Sequence, residues 1–261
     1  MIWAIILGTV QAITEFLPIS SSAHLLVVPW LFNVQGLTGG LAFDAALHIG
    51  TSLALLAFFW HDFYDLARRR DKFLWLILVA SIPGGAIGYF GDKFIEETFH
   101  NGSAAVLISM IGMIITTLIF WYIDATARLK RDMEDMGWRE ALSIGFAQAL
   151  AFIPGVSRSG ITIVTGLGLG YKREAAARFS FLIGTPIALG AGLYKATSIL
   201  KSNPSSGDMW LLLIGVLVSA LLGYLVIRWL LSYVQRHNLR VFLVYRLIFA
   251  TLVLLIWGLR Q

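Results

Sequence analysis

The stretch from Gln11 to His24 reads Gln-Ala-Ile-Thr-Glu-Phe-Leu-Pro-Ile-Ser-Ser-Ser-Ala-His. It sets a carboxylate, a helix-breaking proline, three serines and a histidine in sequence apolar enough to enter a bilayer. Burying such groups in hydrocarbon is unfavourable, so they are functional candidates by default. Gln11 and Glu15 are four apart and share one helical face. Pro18 stops that arm. Ser20, Ser21 and Ser22 then stand where the next arm begins, suited to capping and to leaving backbone N–H groups free. A helix start of this kind attracts phosphate. His24 lies three or four residues beyond Ser21 and Ser20, on the same side of that arm. A hydroxyl, an imidazole and a carboxylate are thus local neighbours: material for a nucleophile with its base, or for water activated beside a metal.

A second stretch echoes the first: Gln148-Ala-Leu-Ala-Phe-Ile-Pro-Gly-Val-Ser-Arg-Ser-Gly. Pro154-Gly155 breaks the helix and Ser157-Arg158-Ser159 opens the next arm. Arg158 is permanently charged and offers a planar donor fork matched to phosphate. It is isolated in an otherwise uncharged run from Ala141 to Tyr171, which argues against a solvated face. Thr162, one turn on, could add a hydroxyl. Asp44 and His48 are a further polar pair four apart, at the start of an apolar run. Two opposed helix starts, Arg158 and a divalent cation would together hold a diphosphate. Glu15 is the expected metal ligand, with Gln11 as a second, because magnesium and calcium prefer oxygen donors.

These residues need a membrane scaffold, and the composition supplies one. Of the 261 residues 58% are hydrophobic and 13% charged, and the mean hydropathy is +0.78. That balance excludes an ordinary soluble domain. The net charge of +5 could suggest a nucleic-acid partner, but the basic residues sit between apolar spans, where they set orientation. No nucleic acid is expected. There is no cysteine and hence no thiol chemistry. The amino terminus lacks a basic n-region and a small-residue cleavage site, so no cleavable signal peptide is expected.

The arms on either side of Pro18, and those on either side of Pro154-Gly155, are too short to cross alone. Each pair reads as a re-entrant hairpin, at about 2–32 and about 141–170. Full spans are expected at about 44–60, 73–91, 103–123, 179–200, 209–227 and 241–258, with Pro83-Gly84-Gly85 as a kink and Lys195 snorkelling. Putting the connections at 62–72, 124–140, 171–178 and 228–240 on one side gathers nearly all the basic residues there, and the positive-inside rule makes that side cytoplasmic. The loops at 31–41, 92–102 and 201–208 then face outward. The expected fold is an all-α polytopic membrane protein: an inverted-topology repeat with six full transmembrane helices and two re-entrant helical hairpins. The first repeat covers 1–123 and the second 141–261, with 124–140 as a cytoplasmic linker. Gly8, Gln11, Ala12 and Pro18 pair with Gly145, Gln148, Ala149 and Pro154 if one gap precedes the proline. Broken helices in inverted repeats place a site at the repeat interface.

Together the two motifs, with Phe43-Asp-Ala-Ala-Leu-His-Ile-Gly-Thr51, resemble the bacterial undecaprenyl-diphosphate phosphatase family of the bacitracin-resistance type. The resemblance covers nearly the whole chain. It implies removal of the terminal phosphate of the C55 polyprenyl diphosphate carrier, regenerating the monophosphate for cell-wall synthesis. It places the chain in the bacterial inner membrane among membrane lipids, with the site towards the periplasm and a divalent cation, Mg2+ or Ca2+. It implies that Glu15 is the essential second acid of the E/Q-x-x-x-E motif, Ser21 the proposed nucleophile and His24 the essential histidine. Arg158 matches the phosphate-binding arginine, with Ser157 and Thr162 beside it. Ser20, Ser22 and Ser159 join the phosphate-binding set, and Gln11, Gln148, Asp44 and His48 support it. Position 11 is Gln where many members have Glu, so a metal site would lose one charged ligand. Ser22-Ala23 stands where Thr-Gly is more frequent. The nucleophile is left open among Ser21, His24 and metal-bound water, and a homodimer is left open too. The rival reading is a lipid-carrier flippase, with or without hydrolysis. The other membrane lipid-phosphatase superfamily needs a Pro-Ser-Gly-His motif, which this chain lacks.

Overall fold

The structure, a computed structural model, describes residues 1–69, 71–99, 103–201 and 204–260. Within those residues it is all helix and connecting turns. The helices are α1 (Ile2–Phe16), α2 (Ser21–Phe32), α3 (Leu41–Phe58), α4 (Trp60–Arg69), α5 (Lys72–Phe99) and α6 (Ser103–Thr126). The second half has α7 (Trp138–Ala149), α8 (Arg158–Gly168), α9 (Arg173–Lys201), α10 (Ser206–Val234) and α11 (Arg240–Leu259). Five of these are long and apolar enough to cross a membrane, and α3 with α4 would make a sixth although bent by 62°. Large apolar side chains lie exposed on them, among them Phe90, Leu221 and Leu255. Such faces need a hydrocarbon solvent rather than water.

Several expected loops are helical. The charged segment 62–72 falls largely in α4, where Trp60, Phe63 and Leu66 alternate with charges on an amphipathic turn. Helix α5 continues past Gly91 to Phe99 and runs through Pro83 and Gly84 without ending. Helices α9 and α10 extend into the basic segments 171–178 and 228–240. Charged residues at a span's end keep helical hydrogen bonds while their heads reach polar surroundings, so charge marks the membrane border better than the helix end. The side chain of Lys195 and residues 202–203 of the 201–208 loop lie outside the described residues, as do residues 100–102.

The four basic connections do meet at one end of the molecule. Lys72 Nζ donates to the Glu134 carbonyl, and Lys172 pairs with Asp132 at 2.6 Å. Arg178 pairs with Asp62, and Gln235 donates to Glu174. Buried Asp124 takes Arg173 and the backbone N–H of Leu239. At the other end Arg260 donates to the carbonyls of Trp30 and Leu31.

Between the ends lie two short broken pairs, α1–α2 and α7–α8. Each first arm stops for the same reason. Leu17 and Ile153, the residues before Pro18 and Pro154, are extended, as the following pyrrolidine ring demands. Each second arm then starts on a serine with positive φ, 75° at both Ser20 and Ser157. That region disfavours an L side chain by roughly 1–3 kcal/mol. Ser157 lies 137 positions after Ser20, as Gln148 does after Gln11. The corners therefore correspond without the gap that sequence comparison introduces, and Pro18 matches Gly155. Gly155 has φ 89° and packs so closely that a Cβ would fall 1.9 Å from the Ser109 carbonyl oxygen. Around the pairs, Phe16 meets Phe181 edge-on at 5.6 Å. Ala23, Val27, Met110, Met113, Ala250 and Val253 close the space between α2, α6 and α11.

Candidate active site

Glu15 sits on the last turn of α1, and the break at Pro18 turns the chain so that Ser21 faces it. Ser21 Oγ donates to Glu15 Oε2 at 2.7 Å. Arg158, at the first position of α8, donates from Nη2 to Glu15 Oε1 at 2.8 Å. One carboxylate thus joins the two broken pairs, 143 residues apart in sequence. The pair is mostly buried, with side-chain exposures of 10% for Glu15 and 18% for Arg158. A second tie lies beside it, where Ser159 Oγ donates to the Leu17 carbonyl at 3.0 Å.

Gln11 and His48 complete the cluster. The Gln11 amide N–H donates to Glu15 Oε2 at 3.2 Å and to His48 Nδ1 at 2.9 Å. His48 Nδ1 stands 3.6 Å from Glu15 Oε2, and its ring, 39% exposed, is the accessible side of the group. The amide oxygen of Gln11 is buried and accepts no hydrogen bond among the described residues. Asp44 lies in the first turn of α3, one turn before His48.

The other expected residues brace this arrangement. Ser157 Oγ accepts the Gly160 N–H and caps α8. Ser157 and Ser159 hydroxyls are 3.3 Å apart, matching 3.2 Å between Ser20 and Ser22. Thr162 is fully buried and bonds to the Arg158 carbonyl and the Ser180 hydroxyl. Arg158 Nη1 also reaches the Ser180 carbonyl at 3.4 Å. Thr162 and Ser180 thereby fix the arm that carries the guanidinium. Gln148 is buried on α7 with neither amide atom hydrogen-bonded among the described residues, facing Gly84.

His24 is directed elsewhere. Its Nδ1–H donates to the Ser20 carbonyl at 2.7 Å, since a carbonyl can only accept. Its Nε2 is 2.8 Å from the Tyr245 hydroxyl, and the ring stacks on Phe249 at 4.2 Å. Ser21, Arg158, Gln11 and His48 are therefore gathered around the Glu15 carboxylate, and His24 adjoins them through the backbone of Ser20.

The two corners, 137 residues apart, carry different chemistry at the same offset. Ser21 corresponds to Arg158, and Glu15 to Phe152. One corner supplies the carboxylate and a hydroxyl, the other the fixed cation. Residues 4–252 of the chain match the family described as bacitracin resistance protein BacA.

The chain belongs to the BacA family.

Its relatives carry a common name. It is 42% identical over 266 residues to an undecaprenyl-diphosphatase of Caldicellulosiruptor bescii, covering 98% of this chain and 97% of that protein. An undecaprenyl-diphosphatase of Desulforudis audaxviator is 42% identical over 264 residues, with 98% and 97% covered. That of Thermomicrobium roseum is 38% identical over 273 residues, with 98% of both chains covered.

Two residues of this BacA-family chain escaped the sequence reading. Tyr245 and Arg246 lie inside the last expected span, 241–258. Arg246 is fully buried and bonds to the carbonyls of Pro18 and Gly155. The signal was available: an arginine within an apolar span is a functional candidate by the rule that singled out Arg158.

Proposed function

We propose that this protein hydrolyses a polyprenyl diphosphate, undecaprenyl diphosphate, to the monophosphate and inorganic phosphate. The observation that carries the reading is the shared carboxylate: Glu15 holds Arg158 on one oxygen and Ser21 on the other. A permanent cation, a hydroxyl and a proton acceptor meet there within hydrogen-bond reach, as phosphoryl transfer requires. The names of the relatives support the substrate class.

An arriving diphosphate competes with Glu15 for the Arg158 fork. The guanidinium transfers its hydrogen bonds to the phosphate oxygens, and the released carboxylate becomes a better base. Glu15 then takes the Ser21 proton as Oγ attacks the terminal phosphorus. The bridging P–O bond breaks, and the lipid monophosphate departs with the electron pair. Water later cleaves the phosphoserine and restores the hydroxyl. Arg158 offsets the charge that gathers on the transferring group.

A divalent cation would be held at the same place. The donors would be oxygens: the Glu15 carboxylate and Ser21 Oγ, joined by Gln11 Oε1, which accepts no hydrogen bond among the described residues, once that amide turns its N–H away from Glu15. Among the described residues no group of three His, Cys, Asp or Glu forms a closed metal cage. One carboxylate plus substrate phosphates is how magnesium is commonly held. The bound cation would neutralise phosphate charge. Chelation is expected to abolish phosphate release from polyprenyl diphosphate in detergent, and Mg2+ or Ca2+ to restore it. Full activity in chelator would remove the cation from the reading. Lipid translocation in vesicles without free phosphate would establish the transporter reading instead.

We also assign the repeats opposite topology, with α1–α2 entering from the periplasmic face and α7–α8 from the cytoplasmic face. The matched serine corners and the single basic end support this orientation.

Gly184 offers a sharper test of Arg158. A Cβ there would fall 1.8 Å from Arg158 Nη1, so Gly184→Ala must push the guanidinium aside. A displacement near 1 Å is expected to lower the rate on the order of 100-fold. Helix content by circular dichroism is expected to stay unchanged. Wild-type turnover in Gly184→Ala would show that the position of the guanidinium is unimportant.

A further inference from the structure

Helix α11 belongs to neither broken pair, yet two adjacent residues of it hold both. Arg246 lies in the bundle interior with no exposed surface. Nη1 donates to the Pro18 carbonyl at 3.2 Å, and Nη2 to the Gly155 carbonyl at 3.0 Å. Those carbonyls sit in the two turns, each two residues before a serine corner. On the other side Nε donates to Thr117 Oγ1 and Nη2 to Thr116 Oγ1, both at 2.6 Å, and Nη2 also to the Met113 carbonyl. None of the described ion pairs involves Arg246. Its charge is met by dipoles instead. Broken helices leave carbonyls that hydrocarbon cannot satisfy, and one planar fork answers both breaks at once. All three of its nitrogens are engaged, so it holds the turns rather than the substrate.

Tyr245 points about 100° away around the helix and meets His24. With Nδ1–H committed to the Ser20 carbonyl, Nε2 of the neutral ring accepts the Tyr245 O–H at 2.8 Å. Phe249, one turn on, stacks against the same ring. The imidazole is thus fixed in tautomer and plane, beside the first serine corner.

We propose that Tyr245 and Arg246 are a positioning pair: Arg246 sets the separation of the two serine corners, and Tyr245 sets the ring of His24. The activity arm of this inference rests on the hydrolase reading, while the distance arm does not. The chain has no cysteine, so spin labels can be placed at Ile13→Cys and Ile153→Cys. These residues are 39% and 36% exposed and precede the two turns. Electron–electron resonance on the full chain in detergent should give one narrow distance. Arg246→Lys keeps the charge but has a single nitrogen, which cannot span both turns. It is expected to broaden that distance and to lower kcat about 100-fold. Tyr245→Phe frees the His24 ring that holds the Ser20 carbonyl beside Ser21; the distance is expected to stay unchanged and KM within about twofold, while kcat falls about tenfold, the equivalent of one lost hydrogen bond. If Arg246→Lys fails to fold, Thr116→Val with Thr117→Val removes both hydroxyls that seat the guanidinium, and broadening is expected again. A distance as narrow as the parent's in the variant that folds overturns the Arg246 half. Parental kcat in Tyr245→Phe overturns the other. If the labelled parent releases no phosphate but the distances respond as described, the hydrolase reading fails and the Arg246 assignment stands.

Discussion

Arg158→Ala is expected to lower phosphate release from polyprenyl diphosphate by about 100- to 1,000-fold, the usual consequence of deleting one fixed donor to a developing oxyanion. The loss has two sources here. The transferring phosphate loses its planar fork, and Glu15 loses its cation in a site where its side chain is 10% exposed. Breaking a buried pair by removing one partner destabilises by about 3 kcal/mol, so the unfolding temperature in detergent should fall as well. The two effects separate in further variants. Arg158→Lys retains charge without the fork and is expected to regain stability but little activity. Glu15→Gln with Arg158→Met should likewise restore stability and leave the rate low. The decisive measurement is phosphate release from purified, folded Arg158→Ala. Wild-type turnover would refute the assigned chemistry, because none of the described contacts brings another arginine to Glu15.

The second large effect is expected at Glu15. Glu15→Gln is nearly isosteric, but an amide does not take the Ser21 proton and is a weak metal ligand. General-base contributions of this kind are worth about 100- to 10,000-fold. Residual turnover should no longer respond to added cation, which distinguishes loss of the metal site from loss of folding. Because Arg158 and Ser21 share the same carboxylate, the effects of Glu15→Gln and Arg158→Ala should be far from additive. Additive losses would mean that the two residues act separately, and undiminished release in Glu15→Gln would discard Glu15 as the base.

Much of this was legible in the sequence because membranes impose strong rules. Polar groups are unfavourable in hydrocarbon, so Glu15, the serines and Arg158 stood out against their apolar surroundings. Prolines restrict the residue before them, so the ends of α1 and α7 were readable to within a few residues. Charge marked the ends of the spans but not of the helices, which is why α4 and the last turns of α5 were missed.

By itself, then, the sequence determined the all-helical membrane character and the two broken pairs, and marked Glu15, the serines and Arg158 as the candidates for phosphate chemistry. Hydrophobicity and backbone sterics act over a few residues and need no knowledge of the fold. Only the tertiary structure decided the partners. It put Arg158 on Glu15 across 143 positions, turned His24 towards Tyr245 rather than Ser21, and brought Arg246 from the last helix to both turns. A hydrogen bond depends on direction and on tenths of an ångström, and those are fixed by how helices pack together.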